Sequence, residues 1–307
     1  MIEAILLSIA GLVGLAIGGE FLVRGAVGIA KRLGVSNLVT GLVIVGAATS
    51  MPEMVASVEA ALMGSPELAW GNVVGSNLAN TLLILGVAAL VMPIALTGMG
   101  RRDAIVALAA TALLWLITGL QLGSIWVGAG LLFGIVAYIY WRYNHPRVTD
   151  EPEEETPALA IHWAIACFAV GVVLLVAGGN FLVTGAIDMA RYFNVSETVI
   201  GLTVVAVGTS LPELAASVAA ALRGKPGLAL GNVLGSNIYN ILLIGGVTMS
   251  VAPVPVPDSL LTYQMVLLFA SAVALLVLLS TARQIGRVAG SALVMIFAVN
   301  TAYAFAG

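Results

Sequence analysis

Apolar positions in this chain run in long unbroken blocks, not at the spacing of an amphipathic helix or a half-buried strand. Ten blocks stand out, at about 4–23, 38–62, 69–92, 103–119, 124–142, 162–185, 198–222, 228–251, 259–280 and 285–305. A helix that crosses a bilayer needs roughly 20 mostly apolar residues. A helix that is apolar all round belongs in lipid or a large core, and across a bilayer only helices and closed barrels satisfy their own backbone. The expected fold class is therefore all-α: a polytopic membrane protein with ten transmembrane helices. The first block lacks a basic leader and a small-residue cleavage site, so it reads as a retained helix and not a signal peptide.

Composition agrees. The 307 residues are 61% hydrophobic and 9% charged, with a mean hydropathy of +1.10, whereas soluble domains carry about 25% charged residues. The single cysteine, Cys167, excludes an internal disulfide and a cysteine metal cluster. In its apolar helix it reads as inert packing. No basic patch suggests a nucleic-acid partner. His145 and His162 flank a polar linker and suggest no metal role.

The basic residues set an orientation. With ten helices, eleven of the twelve Lys and Arg fall on one side: Arg24, Lys31, Arg32, Arg101, Arg102, Arg142, Arg147, Arg223, Lys225, Arg283 and Arg287. Only Arg191 falls on the other. The basic side is expected to be cytoplasmic, with both termini outside and the central linker inside, in the plasma (inner) membrane.

An internal repeat divides the chain. "GLVIVGAATSMPEMVASVEAALMGSPELAWGNVVGSNLANTLLILG" (41–86) aligns without a gap to "GLTVVAVGTSLPELAASVAAALRGKPGLALGNVLGSNIYNILLIGG" (201–246), at an offset of 160. The offset extends back to "GGEFLVRGA" (18–26) and "GGNFLVTGA" (178–186). The expected units are a first five-helix repeat (1–142), a cytoplasmic linker (143–161) and a second five-helix repeat (162–307). An odd number of helices makes the second unit enter from the opposite side. Inverted repeats of this kind are a transporter architecture with the site at the repeat interface. The linker "RYNHPRVTDEPEEETPAL" is charged and proline-rich. Its acidic run reads as a solvated connector in preference to a cation site.

The candidate chemistry lies in the polar residues inside the apolar blocks. Thr49, Ser50 and Glu53 gather on one helical face, and Pro52 cannot bond to the carbonyl of Ala48. Thr209, Ser210, Glu213, Pro212 and Gly208 repeat the arrangement. Hydroxyls, freed carbonyls and a carboxylate are the oxygen ligands of hard cations; Ca²⁺ takes 6–8 of them. A charge at bilayer depth costs at least about 2.5–3.5 kcal/mol. A proline kink with a protonated or hydrogen-bonded glutamate would explain one such motif; two at matching positions point to a shared site.

The second motif is "GNVVGSNLAN" (71–80), repeated as "GNVLGSNIYN" (231–240). Gly71 with Gly75, and Gly231 with Gly235, allow close helix approach. Ser76 shares a face with Asn80, and Ser236 with Asn240. Interhelical hydrogen bonding is the structural alternative for the asparagines; it suits Asn72 and Asn232 better than Asn80 and Asn240, and Asn77 and Asn237 divide evenly. Glu20 (repeat mate Asn180) and Glu59 (mate Ala219) read as solvated helix-end acids or as lining for an access path. Gly18, Gly19, Gly178 and Gly179 suit a first helix of each half that slides on its neighbours.

Paired "GTS-x-PE" and "GN-x-x-GSN" motifs in inverted five-helix halves resemble the sodium/calcium exchanger family, of the prokaryotic type without regulatory domains. The resemblance implies a midplane ion site on the second, third, seventh and eighth helices. Its side-chain ligands would be Thr49, Ser50, Glu53, Ser76, Asn80, Thr209, Ser210, Glu213, Ser236 and Asn240, with backbone carbonyls from Gly46 and Ala206. Na⁺ and Ca²⁺ would compete there as substrates, with no prosthetic group, while the first and sixth helices slide across a rigid core. Two departures are visible. Ala48 stands where a glycine is usual, and Asn80 and Asn240 are both amides, which argues against K⁺ co-transport.

With both glutamates ionised, one Ca²⁺ neutralises the site and an empty site is costly to bury, which favours exchange over uniport. The expected function is Na⁺/Ca²⁺ antiport by alternating access; the alternative is a H⁺/Ca²⁺ antiporter on the same fold. A cation channel and an intramembrane enzyme fit less well, since no buried histidine, zinc motif or paired aspartate is present. Beyond the bilayer no protein partner is expected, and the chain reads as a monomer.

Overall fold

The computed structural model describes residues 1–96, 99–145, 159–194, 206–253, 255–261 and 263–306. Two helices of 32 residues, α1 (Ile2–Leu33) and α7 (Ile161–Tyr192), overrun the expected spans by several residues. At 1.5 Å per residue each is about 48 Å long, against a hydrocarbon core of about 30 Å. Their last turns carry Lys31 with Arg32, and Arg191, which suit the polar boundary. Gly34, in the left-handed region at φ 65°, ends α1 and returns its N–H to Ala30 O.

The next span is broken. α2 (Asn37–Thr49) and α3 (Met51–Leu62) meet at an angle of 44°. The break is at Ser50 (φ −81°, ψ 5°), just before Pro52 in the first turn of α3. A proline there removes no bond the helix would have made, yet it prevents α2 from continuing straight. α4 (Pro66–Val91) follows, then α5 (Arg101–Gly119) and α6 (Ile125–Asn144). After α7 come a short α8 (Ala206–Gly208), α9 (Leu211–Leu222), α10 (Pro226–Val251), α11 (Tyr263–Thr281) and α12 (Arg287–Ala306). Among the described residues seven helices are long and apolar enough to cross a membrane, or eight if α2 and α3 form one span. Two further apolar helices, α9 and Arg287–Tyr303 of α12, are shorter. The expected span 198–222 is described only from Ala206. One detail departs from all-α: β1 (Ile94–Ala95) pairs antiparallel with β2 (Gln284–Ile285).

Burial ranks the helices. Within their apolar windows α10 is 94% and α4 78% buried inside the protein, against 33% for α1 and 22% for α7. The site-bearing helices are therefore central. α1 and α7 lie at the edge and turn Ile9, Val13 and Val173 outward, as lipid contact requires.

α1 and α7 pack against each other backbone to backbone. Gly11 meets Leu182, Gly18 meets Leu175 and Gly25 meets Phe168. In return Gly171 meets Leu22, Gly178 meets Leu15 and Gly185 meets Ser8. One number rises as the other falls, so the helices are antiparallel. The glycines recur every seven residues, which keeps them along one seam. Of the four glycines expected to suit a sliding first helix, Gly18 and Gly178 lie in this seam, which extends well beyond those two positions.

A buried ion pair joins α5 to α6. Arg142 Nε lies 2.9 Å from Asp103 Oδ1, both side chains being 2% exposed, and Tyr138 donates its hydroxyl to the same oxygen at 2.9 Å. Arg142, one of the eleven basic residues on the expected cytoplasmic side, is thus buried. Removing one member of such a pair costs about 3–5 kcal/mol. Asp103→Leu is expected to lower the thermal midpoint of the detergent-solubilised protein strongly, and adding Arg142→Leu to recover most of the loss. A single variant as stable as the parent would refute the isolation of this pair.

Candidate cation site

The breaks before Pro52 and Pro212 bring the first turns of α3 and α9 into the protein interior. Glu53 and Glu213 occupy those turns, and each is 1% exposed. The amide ends of the two helices favour a carboxylate in the first turn. On the central helices the α-helical ladder widens to π-helix at Ala79–Ile84 and Asn240–Ile244, which carry Asn80 and Asn240. Such widening is frequent at functional sites.

Ser50-x-x-Glu53 and Ser210-x-x-Glu213 have the spacing of a capping box, in which serine and glutamate of one helix satisfy each other's backbone. Here the partners are exchanged. Ser50 donates to Glu213 Oε1 at 3.1 Å, and Ser210 donates to Glu53 Oε1 at 3.2 Å. Neither serine caps its own helix. The two motifs are thereby stitched into one site. Asn240 adds a third crossing by donating to Ser76 Oγ at 2.9 Å. Ser76 therefore pairs with the asparagine of the other motif, not with Asn80 on its own helical face.

Behind these side chains lies a matched set of hydrogen bonds. Asn72 donates to Glu53 O (3.1 Å) and Ser57 Oγ (2.9 Å). Asn232 donates to Glu213 O (3.2 Å) and Ser217 Oγ (2.9 Å). The interhelical role weighed for these two asparagines is thus seen, and Ser57 and Ser217, which the sequence reading passed over, complete it. Their four-residue spacing from the glutamates was the available signal. Asn77 donates to Val73 O (2.7 Å) and Asn237 to Thr81 Oγ1 (2.8 Å).

What remains unpaired is informative. Glu53 Oε2, Glu213 Oε2, Asn80 Oδ1, Asn240 Oδ1 and Ser236 Oγ are buried without a hydrogen-bond partner in the protein. Buried polar atoms are nearly always paired, and a carboxylate can only accept. Asn237 Oδ1 and Thr248 Oγ1 on α10 are unpaired as well, so the four elements that carry the motifs hold seven such oxygens, five of them on the predicted ligand side chains. No group of three or more His, Cys, Asp and Glu suited to a metal occurs among the described residues.

The backbone differs between the halves. Gly46 O accepts the N–H of Ser50 at 3.1 Å, whereas Ser210 turns its N–H to Val207 O at 3.2 Å. Thr49 is buried and Thr209 half-buried. Thr209 lines a cavity of about 200 Å³ with Pro52, Asn180, Val183, Gly208 and Pro212. On the other face α1 is pressed against α9, where a Cβ on Gly19 would come within 2.9 Å of Ala219 Cβ and 3.2 Å of Ala215 O. Val55, the repeat mate of Ala215, is 51% exposed. The groups around the site are closed on the α1 side and open on the α7 side. Glu20 bridges Arg24 (3.1 Å) and Arg223, so it ties α1 to the end of α9; Glu59 is exposed.

Comparison with known proteins gives a consistent result. The family model described as sodium/calcium exchanger protein matches two successive segments, residues 3–144 and 163–306. The sodium/calcium exchanger MaX1 of Methanosarcina acetivorans is 32% identical over 334 residues, covering 95% of each chain. The inner membrane protein YrbG of Escherichia coli is 31% identical over 276 residues, covering 82% of this chain and 81% of its own. A solved structure of the sodium-calcium exchanger NCX_Mj superposes with a TM-score of 0.86 at 30% identity, covering 98% of this chain and 99% of that one.

Proposed function

Because the chain belongs to the sodium/calcium exchanger protein family, whose members are membrane antiporters of cations, we propose that it exchanges Na⁺ for Ca²⁺ at the site formed by Glu53 and Glu213. The observation that carries this reading is that five of the oxygens buried without a partner in the protein belong to the predicted ligand side chains Glu53, Asn80, Glu213, Ser236 and Asn240. Two carboxylates neutralise one Ca²⁺. The hydroxyls and amides of Thr49, Ser50, Ser76, Asn80, Thr209, Ser210, Ser236 and Asn240 add neutral oxygens, with the carbonyls of Gly46 and Ala206. That supply suits hard cations that need several ligands, and it exceeds what a proton needs.

The halves 1–142 and 162–307 act as inverted repeats of five spans each, joined by the linker 143–161 on the cytoplasmic side of the plasma membrane. Antiparallel packing of α1 on α7 and hydrogen bonds matched at the 160-residue offset support this. On that orientation the cavity beside Thr209 faces outward and the seal of α1 on α9 faces the cytoplasm. Alternating access follows when α1 and α7 move together across the site.

The test is Ca²⁺ uptake into proteoliposomes under a Na⁺ gradient with pH clamped, then under a pH gradient without Na⁺. Uptake is expected only in the first case, and to fall at acid pH as protons occupy the carboxylates. Ser76→Ala and Ser236→Ala are expected to weaken the Na⁺ dependence more than Ca²⁺ affinity. Uptake only under the pH gradient would replace the Na⁺ reading with proton exchange.

A further inference from the structure

We infer that Asn72 and Asn232 are positioning residues that clasp the threonine ligands in turn, one clasp for each face of the membrane. In this structure Asn232 Oδ1 accepts the hydroxyl of Thr49 at 3.2 Å. The backbone carbonyl of Glu213, which only accepts, fixes the amide the other way round, with its NH₂ toward Glu213 O and Ser217 and its oxygen toward Thr49. Asn72 is held in the same manner by Glu53 O and Ser57. By the repeat symmetry the partner of its oxygen would be the mate of Thr49, which is Thr209. Thr209, however, is half-buried and lines the open cavity. The amides are set alike, and the two threonines are not.

This difference tracks the two faces. Asn232 lies toward the sealed side, where α1 covers Ala215 and Ala219. Asn72 lies toward the side on which Val55 is uncovered. Under the repeat symmetry of the exchanger reading, on which this inference rests, the opposite state has Thr209 on Asn72 and Thr49 released. Release is cheap, because a hydroxyl has one proton to give and Thr49 already has a second acceptor, Val45 O at 3.1 Å on its own helix. The clasp therefore moves a ligand oxygen without stranding a donor.

Val183 lines the cavity, while its mate Val23 is 2% exposed. In a Cys167→Ala background, Val183→Cys and Val23→Cys report the two faces through their rates of reaction with a hydrophilic thiol reagent in detergent. Asn232→Leu is expected to raise labelling at position 23 and lower it at 183. Asn72→Leu is expected to do the reverse. Each shift should be about twofold to threefold, the low end for one hydrogen bond, because the released threonine hydroxyl keeps an acceptor on its own helix. If both variants shift the reporters in the same direction, or neither does, the inference is overturned. If the leucine variants do not fold, Ser57→Ala and Ser217→Ala, each removing one bond that aims an amide, supply the same two arms with smaller shifts. Na⁺-driven Ca²⁺ uptake by the parent protein judges the exchanger reading separately, since the labelling needs no transport.

Discussion

Glu53→Gln and Glu213→Gln are each expected to lower Ca²⁺ transport by on the order of a hundredfold to a thousandfold. The figure follows from about 3–5 kcal/mol for removing one partner of a buried ion pair, at tenfold per 1.4 kcal/mol. Both side chains are 1% exposed, and each carries one oxygen already held by a serine of the other motif. Glutamine keeps the shape and the accepting oxygen but removes the charge. Without cation these variants are expected to be at least as stable as the parent, because an unpaired buried carboxylate is costly. What they lose is the stabilisation that a ligand gives by binding only the folded state. The check is a thermal melt of purified protein with and without Ca²⁺. Either variant retaining the parent's Ca²⁺-dependent shift would show that the two carboxylates do not share an ion.

Gly171→Ala is expected to impair transport nearly as severely, through packing and not through charge. Alanine normally gains about 1 kcal/mol over glycine inside a helix. Here a Cβ would overlap the backbone of Leu22, which cannot rotate away. Gly11→Ala would overlap the backbone of Leu182 in the same way. The helices must separate, at about 1–3 kcal/mol for overpacking, and in the proposed exchanger a widened seam would not carry α1 and α7 across the site as one body. Gly130→Ala is the control: that glycine is exposed and its Cβ meets nothing within 4 Å. It should keep full transport and melt no lower than the parent. Equal behaviour of Gly130→Ala and Gly171→Ala in melting and in Na⁺-driven uptake would dismiss the seam.

Much of this architecture could be read from residue order. A charged residue inside an apolar block is rare enough that Glu53 and Glu213 declare themselves, and Pro52 and Pro212 locate the breaks because the missing N–H is a property of the residue. The gapless offset ties the halves together. What stayed hidden depends on neighbours far along the chain. A capping box is a local rule, so Ser50 reads as the cap of its own helix; the exchange with Glu213 is a tertiary override. The seven-residue spacing of Gly11, Gly18 and Gly25 is visible in the sequence, but only the packing shows that it meets the same spacing at Gly171, Gly178 and Gly185. Asp103 and Arg142 are 39 positions apart in sequence, and nothing local says that they meet. The widening of the helix at Asn80 and Asn240 has no simple sequence marker. Nor does near-identity of the motifs reveal which threonine is sealed, because that belongs to a state and not to a sequence.

The ion pair of Glu20 with Arg223 has no counterpart at the other end, where the mates of these residues are Asn180 and Met63. In the proposed exchanger this makes the two resting orientations unequal in free energy, by no more than about 1 kcal/mol for so exposed a pair. Such a bias changes the half-saturating ion concentration on each face and decides which half of the cycle limits turnover. It weakens as ionic strength rises. It leaves untouched the ratio of Ca²⁺ concentrations at which net flux stops, since that ratio depends on stoichiometry and driving gradients alone. The broken symmetry is a kinetic asymmetry, not a valve.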